Sequence, residues 1–299
     1  MRAITVRDQA AVDLTLTDLP YPHAAENDVI VKVHAAGFTR GELTWPGTWT
    51  DRAGRDRTPS VPGHEVSGVV AELGYGTTGL AVGQRVFGLT DWTRNGTLAE
   101  FVAVEARNLA PLPADIDHVT AAALPISGLT AWQALFDHAH LQAGQTVLVH
   151  GVGGAVGSVA AQLARTAGAR VIGAGRKTDR AFADELGVDE FVALEGGDLE
   201  NVGMVDVVMD VIGGEIRYRS GHMIRPGGTL VTIPDPPRQS PPGVRTVFFV
   251  VEPNRAQLVE LAARVRAGTL KPLIAKVRPL SEAVEAFADR GRTIIQLKP

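Results

Sequence analysis

The sequence predicts an α/β protein of two parts, a β-rich domain followed by a doubly wound parallel sheet. Up to about residue 117, short apolar-alternating segments are separated by Gly, Pro and Asp, the pattern of an irregular, mostly antiparallel sheet. From His118 onward, strand-like and helix-like segments alternate, which points to parallel strands joined by crossover helices. Between one such strand and helix stand Gly151, Gly153, Gly154 and Gly157. A chain of 299 residues is long enough for two such domains at roughly 150 residues each.

The first part is read from "MRAITVRDQA", "VIVKVHAAG", "GVVAEL", "QRVFGL" and "AEFVAV", each alternating apolar and polar positions as a half-buried strand does. The second opens on a helix, "HVTAAALPISGLTAWQALFDHA". It continues with strand "TVLVH", a helix over Ser158–Ala167 and strand "RVIGAG". Helix "RAFADELG", strand "EFVAL", strand "VDVVMDVIG", helix "EIRYRSGHMI", strand "GTLVTI", a Pro-rich loop "PDPPRQSPPG" and strand "TVFFVV" complete six strands. A last helix, Asn254–Arg266, and the segments "AKVRPL" and "TIIQLKP" return to the β-rich domain. The predicted domains are therefore 1–117 with 253–299, and 118–252. No internal repeat is visible, and only Pro234–Pro242 is compositionally biased.

Composition narrows the function. A net charge of -4 gives no long-range attraction to phosphates, so nucleic acid is not an expected partner. No apolar run approaches the ~18 residues of a membrane span and no signal peptide opens the chain, so a cytoplasmic protein is expected. Zero cysteines exclude disulfides, thiolate nucleophiles and Cys-ligated metal sites.

The segment "TVLVHGVGGAVGSVAAQLARTAGARVIGAGRK" has the layout of a dinucleotide-binding βαβ unit, with Val159, Leu163 and Ala167 on one helix face. Glycines at Gly151, Gly154 and Gly157, with the backbone of Ala155 and Val156, let N–H groups approach a pyrophosphate at the positive end of the following helix. The spacing is G-x-G-G-x-x-G, so its place between strand and helix carries the reading more than the count of glycines does. An NAD-specific unit ends its second strand on an acid that takes the ribose hydroxyls. Gly175, Arg176 and Lys177 stand there instead, and a guanidinium grips a 2'-phosphate through paired hydrogen bonds, which favours NADPH.

Together "VKVHAAGFTRGEL", "VPGHEVSGVV", "GLAVGQRVFGL", "GTLAEFVAV", "AAALPISGLTAWQAL", the glycine turn, "DVVMDVIGG", "RPGGTLVTI" and "AVEAF" cover nearly the whole chain in order. They resemble a zinc-independent member of the medium-chain dehydrogenase/reductase superfamily, of the quinone oxidoreductase type. The resemblance implies a GroES-like catalytic domain built from both chain ends and a Rossmann domain, with the active site in the cleft between them. Zinc-dependent relatives take their ligands from positions that hold Thr39, His64 and Ile126 in this sequence. With no thiolate at the first and an isoleucine at the last, no metal is expected. For His64 three roles stay open, a metal ligand, an acid-base group, or a buried, hydrogen-bonded histidine.

Without a Lewis acid, alkoxide formation is unfavourable and reduction of an acceptor that stabilises added hydride is easier. The implied activity is NADPH-dependent hydride transfer to a quinone or conjugated enone, with the proton from water or a hydroxyl. Thr39 stands where relatives often carry Asn, and Thr130 resembles a threonine that contacts the nicotinamide. Val211, Ile212 and Gly213 should border the cofactor, and Phe248, Phe249 and Val250 run past the nicotinamide ribose. Trp45 and Trp49 form either an aromatic wall for a flat substrate or a core plug. Ala193 and Leu194 replace an Asp-Tyr pair near the adenosine, and the linker before the last strand is shorter than usual. Loops 43–60 and 234–245 should shape the pocket. The apolar strand "TVFFVV" suits pairing at a sheet edge, which implies a homodimer. The alternatives are a pathway-specific enone or polyketide-type reductase, and a non-catalytic member that senses NADPH or binds RNA.

Overall fold

The computed structural model describes residues 1–9, 13–196 and 198–297. Ala10 of the first predicted strand segment and Lys298 and Pro299 of the last lie outside the described residues. The chain divides into two compact units. One comprises 1–126, 252–266 and 274–299, and the other 127–251 with 267–273.

In the first unit, β1 (Arg2–Val6) and β2 (Leu14–Asp18) form an antiparallel pair. Strands β3 (Asp28–Gly37), β4 (Glu65–Leu73), β5 (Arg85–Leu89), β6 (Phe101–Glu105) and β7 (Leu109–Pro111) form an antiparallel sheet. There β3 pairs with both β4 and β6, and β5 lies between β4 and β7. Strand β3 is buried along most of its length because it is flanked on both edges. A 3₁₀ turn, Arg40–Thr44, and a one-turn helix α1 (Pro46–Trp49) link β3 to β4.

The single helix expected from His118 to Ala139 is broken. Helix α2 (His118–Ala122) is capped by Asp117, whose carboxylate accepts from Thr120 N–H at 2.8 Å, and it ends just before Pro125. Proline has no N–H to continue the ladder. Helix α3 (Pro125–Trp132) restarts there and runs into a π-helical turn, Gln133–His138.

In the second unit, β8 (Thr146–His150), α4 (Ala155–Thr166), β9 (Arg170–Gly175), α5 (Arg180–Leu186) and β10 (Glu190–Ala193) alternate. Then come β11 (Val205–Asp210), α6 (Gly214–Gly221), β12 (Ile224–Thr232) and β13 (Arg245–Phe248). The six strands form one wholly parallel sheet in the order β10-β9-β8-β11-β12-β13. Its first strand β8 is central, so the winding direction reverses between β8 and β11. In such sheets this switch point is where ligands bind, beyond the carboxyl ends of the strands. Helix α4 starts three residues earlier than its apolar run, because Gly154 caps it in extended conformation. Helix α6 stops before Met223 because Ile224 already pairs with β11.

The chain then returns to the first unit with α7 (Arg255–Arg266), β14 (Lys276–Pro279), α8 (Ala283–Ala286) and β15 (Thr293–Gln296). Strand β15 pairs antiparallel with β3, setting Ile295 opposite Ala36, and β14 lies parallel to β15. This unit's core gathers Ile4, Val31, Val66, Leu98 and Ile295, and the other's gathers Leu148, Ile172, Val208 and Leu230. Truncating one such Leu or Ile to Ala costs ~2–5 kcal/mol. Among the described residues no helix is long and apolar enough to cross a membrane.

Candidate active site

The turn after β8 is shaped for close approach of backbone. Gly151 has φ of +64°, a conformation that favours glycine. A Cβ on Gly157 would stand 2.2 Å from the Gly151 carbonyl oxygen, so only glycine lets α4 begin this close to the strand end. The N-cap Gly154 offers no side chain to the first turn of α4, leaving the N–H groups of Ala155, Val156 and Gly157 without a side-chain cap. A helix start of this kind attracts an anion. Val211, half-buried, faces Gly151, while Ile212 is exposed at the head of α6.

Beneath the turn lies a polar chain that the sequence did not suggest. His150, Asp210, Ser220 and Thr232 are all fully buried. His150 Nδ1 meets Asp210 Oδ1 at 2.9 Å and its Nε2 meets Ser220 Oγ at 2.8 Å. Asp210 also accepts from Ile212 N–H at 3.0 Å, Gly213 N–H at 2.9 Å and Thr232 Oγ at 2.7 Å. Burial alone opposes charge on Asp210, but the bonds from His150, Gly213 and Thr232 outweigh it and hold the carboxyl down at about 2. The residue types are those of a hydrolytic triad, yet no member reaches solvent and Ser220 Oγ also donates to Ile216 C=O at 2.9 Å. The chain is a scaffold. It ties the end of β8 to the end of β11, the two strands on either side of the switch point.

At the end of β9, Gly175 is buried and Arg176 projects with 69% of its side chain exposed. Arg176 is not free. Its Nη2 and Nε donate to Asp179 at 2.9 and 3.2 Å, and its backbone N–H donates to the same carboxylate at 2.9 Å. The side-chain bonds to Asp179, and then its negative charge, raise the guanidinium above its ordinary value. Lys177 N–H donates to Glu195 at 2.8 Å. The acid that the sequence lacks at the strand end is thus supplied three residues later, by Asp179 in the 3₁₀ turn Lys177–Asp179. Thr130 is buried in α3. Phe249 is buried and meets His138 in a tilted ring contact at 4.4 Å between centroids, whereas Phe248 and Val250 are exposed.

In the first unit the Gly-His-Glu segment sends its two polar side chains to different partners. His64 is 1% exposed, and its Nδ1 lies 2.7 Å from Glu42 Oε2. Glu42, delivered by the 3₁₀ turn that Thr39 begins, also accepts from Gly63 N–H at 3.0 Å. His64 Nε2 is buried with no hydrogen-bond partner, beside the rings of Trp92 at 4.9 Å and Trp45 at 6.0 Å. Trp45 and Trp92 meet edge to face at 5.0 Å. Trp49 does not join them. It is 7% exposed and its indole donates to Leu43 C=O at 3.0 Å, so it plugs the turn, and Trp92 is the second ring. Thr39 is half-buried and does not cap the turn with its side chain.

Glu65 turns the other way. It accepts from Ile126 N–H at 2.9 Å and from Arg292, which also donates to Phe38 C=O at 2.7 Å. Burial pushes the Glu65 carboxyl upward, and the Arg292 guanidinium opposes that shift. His64 is thus buried and hydrogen-bonded through Nδ1, with its Nε2 open toward the two tryptophan rings. Among the described residues no group of three or more His, Cys, Asp or Glu could hold a metal ion.

Residues 25–114 match the family described as Alcohol dehydrogenase GroES-like domain, and residues 186–291 the family described as Zinc-binding dehydrogenase. The chain is 31% identical over 307 residues to 2-methylene-furan-3-one reductase of Solanum lycopersicum, spanning 96% of this chain and 75% of that protein. It is 34% identical over 295 residues to the Spectinabilin polyketide synthase system protein NorB of Streptomyces orinoci. That match takes in 92% of this chain but only 13% of that much longer protein. The solved quinone oxidoreductase from Coxiella burnetii superposes with a TM-score of 0.89 at 27% identity, covering 100% of this chain and 99% of that one.

The chain belongs to the quinone oxidoreductase-like family of medium-chain dehydrogenases/reductases. It is therefore an oxidoreductase of a class that works with NAD(P)H, and the glycine turn fits that cofactor. The open backbone at Gly154–Gly157 suits the pyrophosphate, and the Arg176–Asp179 pair at the end of β9 stands where such a fold receives the adenosine ribose. For zinc the residues do not fit. His64 alone could offer an imidazole, and Thr39 and Ile126 bring no thiolate or imidazole beside it.

Proposed function

We propose that this family member is a cytoplasmic, NADPH-dependent reductase of quinones or conjugated enones that works without a metal ion. The observation that carries the reading is the uncapped start of α4 at the sheet's switch point, together with a guanidinium, Arg176, projecting at the end of β9. When bound, the cofactor supplies hydride. The residues of the chain bind and orient it. Gly151, Gly154, Ala155, Val156 and Gly157 receive the pyrophosphate, and Gly175, Arg176 and Lys177 the 2'-phosphate. Val211, Ile212, Gly213, Phe248, Phe249 and Val250 border the nicotinamide half, and Thr130 contacts it.

Residues 1–117 and 253–299 act as the catalytic domain, and residues 118–252 as the cofactor domain. Trp45 supplies an apolar face to a flat acceptor, with Trp92 in the place first given to Trp49. Thr39 donates a hydrogen bond to the acceptor oxygen. His64, oriented by Glu42, is the nearby group able to hold a proton. One proton, from water or a hydroxyl, would complete the hydroquinone or ketone. Two copies pair through β13, an edge strand that ends on exposed Phe248, with exposed Val250 just beyond it.

Steady-state NADPH oxidation against a panel of quinones and enones tests the reading. Cofactor binding without turnover on any acceptor would make the chain a sensor. Arg176→Asp should weaken NADPH selectively, since it replaces the phosphate's partner with a like charge. A second reading, an enone reductase acting on polyketide-type intermediates, is favoured by the match to a polyketide synthase protein. Turnover of enoyl thioesters in preference to quinones would select it.

A further inference from the structure

The Arg176–Asp179 pair does more than cap a turn. The Asp179 carboxylate is folded back over the glycine turn. A Cβ on Gly153 would stand 2.5 Å from Asp179 Cγ, and one on Gly175 would stand 3.1 Å from Asp179 Oδ2. This carboxylate therefore sits between the phosphate-binding turn and the end of β9. A dinucleotide whose pyrophosphate rests on the start of α4 must lay its adenosine ribose over that strand end. The side chain of Asp179 is only 13% exposed, whereas Arg176 is 69% exposed, so the acid is the fixed member of the pair. Glu195, bonded to Lys177 N–H at 2.8 Å, adds a second negative charge nearby. A 2'-phosphate reaching Arg176 would have to share or displace a carboxylate that already fills the guanidinium's fork. A 2'-hydroxyl meets no such conflict, because its O–H can donate a hydrogen bond to a carboxylate oxygen.

We infer that Asp179 is a specificity-determining residue. It competes with the 2'-phosphate for Arg176 and accepts a 2'-hydroxyl, so that the chain binds both phosphorylated and unphosphorylated cofactor. The inference rests on the dinucleotide reading of the glycine turn and qualifies the preference for NADPH.

Isothermal titration of the full chain with 2',5'-ADP and with ADP tests it, and needs neither nicotinamide nor turnover. The wild type should bind the two within about tenfold of each other. Asp179→Asn should shift the ratio about tenfold or more toward 2',5'-ADP, since it removes the competing charge while keeping an oxygen to cap Arg176 N–H. Asp179→Ser, whose hydroxyl can also cap the turn, should do the same. Asp179→Glu keeps the charge and should leave the ratio near that of the wild type. A merely structural capping role predicts the opposite order, with Asn tolerated and Glu disruptive. If both neutral variants bind the two ligands in the wild-type ratio, the inference is overturned while the dinucleotide reading stands. If the wild type binds neither ligand at millimolar concentration, the dinucleotide reading itself fails and the inference falls with it.

Discussion

Replacing Asp210 with Asn isolates the charge beneath the switch point. Three of its four bonds, from His150, Ile212 and Gly213, converge on Oδ1, and Thr232 alone meets Oδ2. An Asn can therefore keep its carbonyl oxygen toward the three donors and turn its amide toward the Thr232 hydroxyl, which is able to accept. Shape and bond count survive, and only the charge is lost. A carboxyl lowered from its ordinary 3.8 to about 2 contributes ~2.5 kcal/mol at pH 7. Because the folded value is depressed, that stability is present above the unfolded value and is lost as pH falls from about 4 to about 2. Urea unfolding should show D210N less stable by ~2–3 kcal/mol at pH 7, with the gap roughly halved at pH 3. Asp210→Ala, which strands His150 and two backbone N–H groups, should cost more, ~3–5 kcal/mol. A gap under ~0.5 kcal/mol at pH 7, or one unchanged at pH 3, would refute the reasoning.

Three further outcomes follow from the same geometry. Gly157→Ala puts a Cβ against the Gly151 carbonyl, which must shift. ADP affinity should fall at least about tenfold and the melting temperature should drop, as calorimetry would record. His118, stacked on His34 at 4.5 Å and bonded to Ser67 at 2.8 Å, has its pKa lowered to about 4 by burial first and then by His34 and Arg85. The folded chain binds this proton less well than the unfolded one, so stability is full above about pH 6.5 and declines toward pH 4. Discounted for partial exposure, the loss is ~1–2 kcal/mol, and a His118→Asn variant should flatten that part of a stability profile taken against pH. Glu42→Gln should leave His64 in place but remove the charge that orients its Nδ1 proton, lowering turnover ~10-fold or more with little change in ADP binding. Equal losses in both would assign Glu42 to folding alone.

The fold was legible because each strand and helix carries its own period and because glycine and proline punctuate them. The six parallel strands of the second unit were all visible in the sequence, from "TVLVH" to "TVFFVV". What failed was local. Pro125 split a helix whose apolar pattern runs through it, and Ile224 was drawn into β12 by pairing with β11. The candidate site was legible where backbone makes it, at Gly151–Gly157, and illegible where distant side chains make it. Asp210 and Ser220 lie 60 and 70 residues from His150, and no spacing rule links them. Glu42 and His64 are 22 residues apart and meet only because a 3₁₀ turn and the start of β4 converge. Asp179 was the nearest miss, since it lies three residues from Arg176 and that spacing permits a capping box.

That miss bears on how cofactor choice is encoded. A residue-by-residue reading takes the side chain at the end of the second strand as the determinant, and here that side chain is cationic. The ribose, however, meets a field summed over every charge within a few ångströms, and the guanidinium of Arg176 is already bonded to a carboxylate. An arginine whose fork is filled attracts a phosphate less than a free one does, because the incoming anion must displace an existing charge-assisted pair. The same logic holds at Glu65, where Arg292 balances a buried carboxylate, and at Asp210, where four donors do. In each case the partner decides what the charged residue does. A test of cofactor preference that mutates Arg176 alone therefore measures the pair, and only the Asp179 variants separate its two members.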